Sequence, residues 1–320
     1  GTALSIVLAP RFEQVRLWVY EPDLAERMRA IRENDLYLPG LRVPEKVEIV
    51  TGLRTAVEGA EVVLGVTPSH AVRTIWGRML EWLEPAMLLV SATKGLEGGT
   101  LLRMSQVITE VVGARFRPRV AALSGPTFAR EVARGEPTAL VVASEDAELA
   151  STVQGAFSGP TFRLYTNPDS VGVELGAALK NIVAIGAGVC HGLGLGTNII
   201  AALVTRGLVE IRRLTVALGG QPETLAGLAG LGDLVLTCTG ELSRNRQVGI
   251  RLGRGESLPE ILASMRMVAE GVRTTDAAVE LGRKCGVDLP ITLEVYAILH
   301  QQKGPREAIR ELMERSLKGE

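Results

Sequence analysis

The sequence predicts an α/β N-terminal domain built on a doubly wound sheet, followed by an all-α C-terminal domain. In the first half of the chain, short β-branched runs alternate with helical patterns, which is typical of a parallel sheet covered on both faces. After about Thr166 the strand signals stop and only helical patterns follow. We therefore expect one domain over residues 1–168 and a helical domain over residues 169–320.

Most strand segments of the first domain are nearly continuous apolar runs, as expected for strands buried on both faces. Helical patterns separate several of them, for example Asp23–Glu33 and Leu101–Val112. The chain also opens on Gly1–Ala9, which has the composition of a starting helix. The predicted strands are Val15–Tyr20, Glu61–Val66, Met87–Ala92, Arg119–Leu123 and Thr138–Ala143.

Local signals mark the helix ends in the second domain. Asn167-Pro168-Asp169 predicts a helix start with Asn167 as the cap and Pro168 at the first helical position. The other signals are a capping box at Ser257–Glu260, a cap at Thr274 or Thr275 with a stop at Gly286 after Cys285, and a last amphipathic helix from Gly304-Pro305 to about Leu317.

Charge and cysteine content exclude several classes of protein. The 35 Lys and Arg residues balance 36 Asp and Glu residues, which gives no electrostatic argument for nucleic acid or an anionic membrane. The three cysteines are widely spaced without a Cys-x-x-Cys pair, as expected for reduced thiols in the cytoplasm. The three histidines show no metal-ligand spacing, so we expect no metal site.

Lys180 lies in the apolar run Leu175–Val189, where only Lys180 and Asn181 are polar. A helix that is apolar all round is expected to be buried, and burial lowers the pKa of a lysine and makes it a usable proton donor. The alternative is a lysine that reaches the surface or pairs structurally. The run is shorter than the ~18 residues that a membrane span needs and contains a charge, so we expect no integral membrane segment.

Half of a dinucleotide fingerprint opens the chain. Gly1 precedes a helix, and the strand Val15–Tyr20 ends at Glu21, the acid expected to bind the ribose of a dinucleotide. Gly1, Tyr20 and Glu21 are therefore candidate cofactor residues. The first strand and the first two glycines of the motif would lie before Gly1, and we expect the natural protein to begin further upstream.

Further chemistry-bearing residues are spread along the chain. Lys94 follows a predicted strand, at the sheet edge where ligands bind, although a surface lysine fits equally well. Asp233, in a glycine-rich apolar stretch, is a plausible partner for Lys180 or a simple helix cap. A helix start at Ser243–Arg244 suits a phosphate, with a solvated basic surface as the alternative. Arg244 and Arg246 cannot share a helix face.

Taken together, these segments resemble the bacterial-type NAD(P)-dependent glycerol-3-phosphate dehydrogenase family. The matching stretches follow in order along almost the whole chain: Gly1–Leu4, Ser91–Gly95, Ser124–Ala133, Gly176–Asn181, Gly230–Asp233, Leu242–Arg246 and Val268–Gly271. The resemblance implies a Rossmann-like dinucleotide-binding domain, a helical substrate domain, and interconversion of dihydroxyacetone phosphate and sn-glycerol 3-phosphate for phospholipid synthesis.

The resemblance also implies roles for individual residues. Lys180 would be the catalytic acid/base. The substrate would lie against Lys94, Gly125, Thr127, Lys180, Asp233, Ser243, Arg244 and Asn245, and the cofactor near Lys94, Ala129, Arg244, Val268 and Glu270. The cofactor would be NAD or NADP, and we lean to NAD because Glu21 would repel a 2′-phosphate. Arg27 or Arg29 could still reach such a phosphate. The partner is a small phosphorylated substrate, and a homodimer is left open.

Overall fold

The computed structural model describes residues 1–317 and divides the chain into two compact units. The first unit comprises Gly1–Thr93 and Met104–Ser170. The second comprises Lys94–Arg103 and the chain from Val171 onward. The sequence had assigned residues 94–103 to the first domain. They group with the second because Leu96 and Leu101 are buried in its hydrophobic core.

Seven strands of the first unit form a two-stranded sheet, β1-β2, and a five-stranded sheet in the order β3-β4-β5-β6-β7. Neighbouring strands are parallel except β5 and β6, which are antiparallel, so the larger sheet is mixed. The strands are β1 (Val15–Trp18), β2 (Val47–Val50), β3 (Val62–Gly65), β4 (Leu88–Ser91), β5 (Arg119–Ser124), β6 (Thr138–Ala143) and β7 (Phe162–Asn167).

All five predicted strands are confirmed with ends shifted by up to two residues, and β2 and β7 were missed. Strand β7 alternates buried and exposed residues, as an edge strand with one wet face does, instead of forming an apolar run. Strand β2 has only four residues, one of them the exposed Glu48. Neither segment carries the continuous apolar signal on which the strand predictions depended.

The helices of the first unit are α1 (Thr2–Leu8), α2 (Pro22–Ile31), α3 (Leu53–Val57), α4 (Val72–Met79), α5 (Met104–Gly113), α6 (Ala129–Ala133) and α7 (Ala147–Phe157). Helix α2 starts with Pro22 at its first position and ends at Ile31, followed by the C-cap residue Arg32, whose φ is 53°. The pattern Leu101–Val112 becomes a helix only from Met104, because Leu101 is left-handed, with φ 65°. Apolar strand residues such as Val90, Leu123 and Val142 form the core of this unit together with Phe157 of α7.

The described part of the second unit is helical: α8 (Ser170–Gly192), α9 (Thr197–Ala217), α10 (Asp233–Thr239), α11 (Arg244–Gly253), α12 (Leu258–Ser264), α13 (Glu270–Cys285), α14 (Pro290–His300) and α15 (Pro305–Glu314). Helix α8 is at the centre of the core, buried from Gly172 through Cys190. The start of α14 is capped from outside, because the buried Glu210 carboxylate of α9 accepts hydrogen bonds from the backbone N–H of Ile291 at 2.6 Å and of Thr292 at 3.1 Å.

Three expectations about helix ends and lengths are wrong. Asn167 is the last residue of β7 and its side chain accepts a hydrogen bond from Asp169 N at 2.8 Å, so α8 begins only at Ser170. Neither Thr274 nor Thr275 caps α13, which already starts at Glu270; Thr275 instead donates to Gly271 O within the helix. The last helix, α15, ends at Glu314, before the expected Leu317.

Two other helix-end signals are confirmed. The capping box of Ser257 and Glu260 is present at the start of α12. Gly286 ends α13 in the left-handed conformation, with φ 64°.

The membrane argument from length also needs correction. Helix α8 has 23 residues, which is long and apolar enough to cross a bilayer by length and composition. The 18-residue apolar stretch of this helix is nevertheless 100% buried inside the protein. Complete burial against the other helices of the second unit is what the core helix of a folded domain shows, and it accounts for the apolar composition of α8 without a membrane.

Helices α8 and α11 cross with their backbones in contact. A Cβ atom on Gly188 would lie 2.1 Å from Arg246 O, and one on Gly249 would lie 2.0 Å from Ile185 O. Gly192 and Gly253 extend the same contact one turn further along both helices. The crossing therefore excludes every side chain at these positions and fixes the start of α11 relative to α8.

Candidate functional site

Lys180 lies on α8 in the core of the second unit and is only 5% exposed. Its Nζ donates to Asp233 Oδ1 and, at 2.7 Å, to Thr237 Oγ1. Asp233 begins α10 directly after a single turn of π-helix, Leu228–Gly232, a kind of irregularity that is frequent at functional sites. The predicted pairing of Lys180 with Asp233 is thus confirmed, and the alternative of a surface-seeking lysine is excluded.

A second lysine shares the same carboxylate. Lys94 Nζ donates to Asp233 Oδ2 at 2.7 Å, and its side chain remains 20% exposed whereas Asp233 is fully buried. Lys94 comes from the segment 94–103, which groups with the second unit although it leaves strand β4 of the first. The sequence left Lys94 undecided between a surface and a site residue, and the structure places it on Asp233.

Burial is the main cause of the altered protonation of Lys180. Loss of hydration lowers the pKa of the ammonium from its usual 10.5 to about 7. The Asp233 carboxylate opposes this effect, and the Lys94 ammonium reinforces it. A lysine with a pKa near 7 holds a proton half of the time at neutral pH, so it can both donate and accept one.

The start of α11 forms a second cluster that is joined to the first. Ser243 is the N-cap, and its Oγ accepts from Arg246 N at 3.2 Å. Asn245 is buried and donates to Asn181 Oδ1 at 2.9 Å, while its own Oδ1 accepts from Gly271 N at 2.9 Å. Because Asn181 directly follows Lys180, these hydrogen bonds tie the helix start of α11 to the lysine.

The two arginines of α11 point to different environments, as their spacing requires. Arg244 is exposed, and its Nη1 donates to Val268 O at 2.9 Å. Arg246 is buried. Of the two, Arg244 is therefore the guanidinium that a ligand can reach from solvent. Val268 precedes α13, which begins at Glu270, so the predicted residues Arg244, Val268 and Glu270 come together.

Two residues of this site were missed. Thr237 follows Asp233 by one helical turn and shares its face, so its hydroxyl reaches both Lys180 and Asp233 O. Asn181 was noticed only as the second polar residue of an apolar run. The available signal was that a polar side chain in a buried helix must find a partner, and Asn245 is that partner.

In the first unit, the predicted cofactor residues Tyr20 and Glu21 follow β1. Tyr20 is 70% exposed, and Glu21 lies at the N-cap position of α2, where its Oε1 accepts from the Tyr37 hydroxyl at 2.6 Å. An exposed aromatic ring beside a carboxylate acceptor after a parallel strand suits an adenosine, whose base stacks and whose ribose donates hydrogen bonds. These residues therefore fit a dinucleotide. Gly1 precedes α1, where the glycine of the fingerprint belongs.

The predicted residues Gly125, Thr127 and Ala129 lie together after β5. Gly125 has φ 152°, and a Cβ atom there would lie 2.7 Å from Leu140 Cβ on strand β6. Packing against β6 is therefore enough to require glycine at position 125, without any ligand. Thr127 Oγ1 donates to Gly125 O at 3.3 Å, and Ala129 opens α6. The neighbouring Ser124 hydroxyl is buried and has no hydrogen-bond partner among residues 1–317. The substrate and cofactor roles of these three residues stay predictions.

Among residues 1–317, no group of three His, Cys, Asp or Glu side chains is placed so that it could hold a metal ion. The cysteines are free thiols, with Cys190 and Cys238 buried and Cys285 half-buried. Burial raises the pKa of Cys238, which faces the charges of Lys180 and Asp233, to about 12. It is therefore protonated beside the lysine and adds no charge to the site.

Comparison with known proteins covers almost the whole chain. Residues 1–150 match the model of the NAD-dependent glycerol-3-phosphate dehydrogenase N-terminus, and residues 169–310 match that of its C-terminus. A glycerol-3-phosphate dehydrogenase [NAD(P)+] of Koribacter versatilis is 60% identical over 317 residues, 98% of this chain and 94% of the relative. One of Geobacter sulfurreducens is 50% identical over 320 residues, 100% of this chain and 96% of the relative.

A solved structure agrees with these sequence matches. The crystal structure of glycerol-3-phosphate dehydrogenase from Coxiella burnetii superimposes with a TM-score of 0.94 at 41% identity, covering 98% of this chain and 96% of that one. Sequence and fold thus give the same answer over both units, and the chain belongs to the NAD-dependent glycerol-3-phosphate dehydrogenase family.

Proposed function

We propose that the chain interconverts dihydroxyacetone phosphate and sn-glycerol 3-phosphate with NAD(P)H, with Lys180 as the acid/base. The observation that carries this proposal is the buried Lys180, held between Asp233 and Thr237 with its pKa lowered to about 7. The 60% identity to a relative that bears this activity in its name supports the choice of substrate.

Lys180 handles the proton of the reaction. When bound, the reduced nicotinamide supplies the hydride that the protein side chains cannot provide. In reduction, Lys180 Nζ gives its proton to the substrate carbonyl oxygen as charge develops there, and in oxidation the neutral amine removes the hydroxyl proton. Asp233 and Thr237 hold Nζ in place, so the lysine does not have to move during proton transfer.

The start of α11 is the proposed site of the substrate phosphate. Ten-residue α11 presents free backbone N–H groups and a positive dipole end, and exposed Arg244 adds a guanidinium fork. The Asn245–Asn181 hydrogen bond links this helix start to Lys180. Binding of the unreactive phosphate there would position the substrate carbonyl next to Lys180. Binding energy from the phosphate would in this way lower the activation barrier at the carbonyl.

The residues after β1 support a preference for NAD over NADP. The two arginines that could have met a 2′-phosphate are engaged elsewhere: Arg27 pairs with Asp35 at 2.9 Å, and Arg29 Nε donates to Ile49 O at 2.9 Å. Glu21 accepts from the Tyr37 hydroxyl through Oε1, so its Oε2 is the oxygen proposed to accept from ribose hydroxyls. Calorimetric titration with NADH and NADPH checks the preference, and tighter binding of NADPH would overturn it.

The decisive experiment is the loss of NADH or NADPH absorbance on addition of dihydroxyacetone phosphate. We expect turnover with this substrate and little with small 2-keto or 3-keto acids that lack phosphate. Robust turnover of such acids instead would make the chain a related hydroxyacid dehydrogenase. Supply of glycerol 3-phosphate for phospholipids, a cytoplasmic location and a homodimer also belong to this proposal, and fractionation and light scattering would test the last two.

A further inference from the structure

The segment Lys94–Arg103, here called the lysine loop, carries Lys94 at one end and Arg103 at the other. The loop is closed on itself, because Leu96 and Arg103 form an isolated antiparallel bridge and Glu97 N donates to Leu102 O at 3.0 Å. What fixes Arg103 therefore also fixes the backbone two residues after Lys94.

Arg103 is anchored on the helix that carries the catalytic lysine. Its Nη1 lies 2.5 Å from Glu174 Oε2, and the side chains of Arg103 and Glu174 are only 16% and 6% exposed. Glu174 lies six residues before Lys180 on α8, about 9 Å along the helix axis. The lysine loop thus contacts α8 through an ion pair at one end and reaches the Lys180 cluster through Lys94 at the other.

We propose that Arg103 is a positioning residue: its buried ion pair with Glu174 sets the lysine loop in the one register that places the Lys94 ammonium on Asp233. This inference rests on the proposed role of Lys180. Apolar contacts of Leu96 and Leu101 with the core hold the loop down, but such contacts are not directional and tolerate small rotations. A buried ion pair gains little stability over an apolar pair of the same size, and fixing register is the best-attested use of such pairs.

Lys94 in this position affects the proton on Lys180. The titratable groups that face Lys180 are Asp233 and Cys238 of α10 and Lys94 of the lysine loop. Asp233 raises the pKa of Lys180 and Lys94 lowers it. If Lys94 leaves Asp233, the carboxylate acts on Lys180 alone, so the pKa of Lys180 should rise. Loss of the Arg103 charge alone would also raise this pKa, whereas loss of the Glu174 charge alone would lower it. Displacement of Lys94 is therefore identified by an upward shift when either partner of the ion pair is replaced.

The test is an NMR titration of protein labelled with ¹³Cε-lysine, in which the Lys180 signal is assigned by its absence in Lys180→Met. In Arg103→Met we expect the pKa of Lys180 to move up from about 7 by roughly one unit, with the same shift in the pH profile of kcat/KM. Arg103→Lys keeps the charge and should restore most of the parent value. Arg315→Met breaks the exposed ion pair with Asp288, 2.8 Å long, and is the matched control that should shift nothing.

An unchanged Lys180 titration in folded Arg103→Met would overturn the proposal, as would equal shifts in Arg103→Met and Arg315→Met. Glu174→Gln removes the other partner and, even if Arg103→Met does not fold, is expected to shift the pKa of Lys180 upward as well; a downward shift there would be the direct effect of the lost carboxylate and would overturn the proposal. The NMR titration does not depend on turnover. A parent protein without activity on dihydroxyacetone phosphate would therefore refute the proposed function and leave the positioning role of Arg103 to be decided by the titration alone.

Discussion

Replacing Asp233 by Asn tests how the carboxylate sets the protonation of Lys180. Asp233 is 0% exposed and contacts both Lys180 and Lys94. Two unit charges about 4 Å apart interact by about 4 kcal/mol at an effective dielectric constant near 20. At about 1.4 kcal/mol per pKa unit, that is roughly three units. Without the carboxylate, the pKa of Lys180 should fall from about 7 to roughly 4.

The consequence is a directional loss of activity. At pH 7 the parent lysine is protonated in about half of the molecules, and the Asp233→Asn lysine in roughly one in a thousand. Reduction of dihydroxyacetone phosphate at pH 7 should therefore slow about 500-fold, while oxidation of glycerol 3-phosphate at pH 9, which needs the neutral amine, should lose much less. Steady-state rates from pH 5 to 10 measure both. Reduction within fivefold of the parent in a folded variant would refute this reasoning, and the exposed Asp276→Asn is the matched control.

The remaining predictions concern three other side chains. Lys180→Ala should lower kcat for reduction by ~10²–10⁴-fold while calorimetry shows unchanged cofactor binding; near-normal turnover would remove the lysine from the mechanism. Arg244→Ala should raise KM for dihydroxyacetone phosphate and leave the poor turnover of unphosphorylated dihydroxyacetone unchanged, whereas equal losses on both would assign Arg244 another role. Burial raises the pKa of Glu210 from 4.5 to about 7, because it disfavours the ionised side chain in the folded protein. The free energy of unfolding should therefore be highest below pH 4.5 and fall by about 3 kcal/mol as the pH rises through 7. Glu210→Gln should remove that dependence in urea unfolding at pH 5 and pH 8, and identical pH slopes in the two proteins would contradict it.

The sequence was informative wherever a local pattern decides the structure. Apolar runs predicted five strands, and a lone lysine in an apolar helix predicted burial, because both depend on neighbours along the chain. Strand β7 was missed because the strand predictions rested on continuous apolar runs, whereas β7 alternates buried and exposed residues, the pattern of a half-buried strand. Helix α13 starts at Glu270, four residues before Thr274, and its N-cap residue, Ala269, makes no side-chain cap hydrogen bond, so the threonine signal did not mark the start.

Contacts between distant segments could not be predicted in the same way. That Lys94 shares Asp233 with Lys180 depends on where the lysine loop packs, and nothing in residues 94–103 themselves specifies α8 as their neighbour. The Asn181–Asn245 hydrogen bond joins residues 64 positions apart. The family resemblance supplied most of these residues as a set, and the structure supplies the physical reason that they belong together.

The backbone contact between α8 and α11 has a consequence for mutational tolerance. Gly188 and Gly249 touch no proposed ligand, yet each faces a carbonyl oxygen where a methyl group would have to sit. In a saturation screen these glycines should tolerate as few substitutions as Lys180 itself, and even alanine should be rejected. Variants designed to change the substrate should therefore keep these glycines and the spacing of the two helices. Substitutions are better placed at exposed residues such as Arg244.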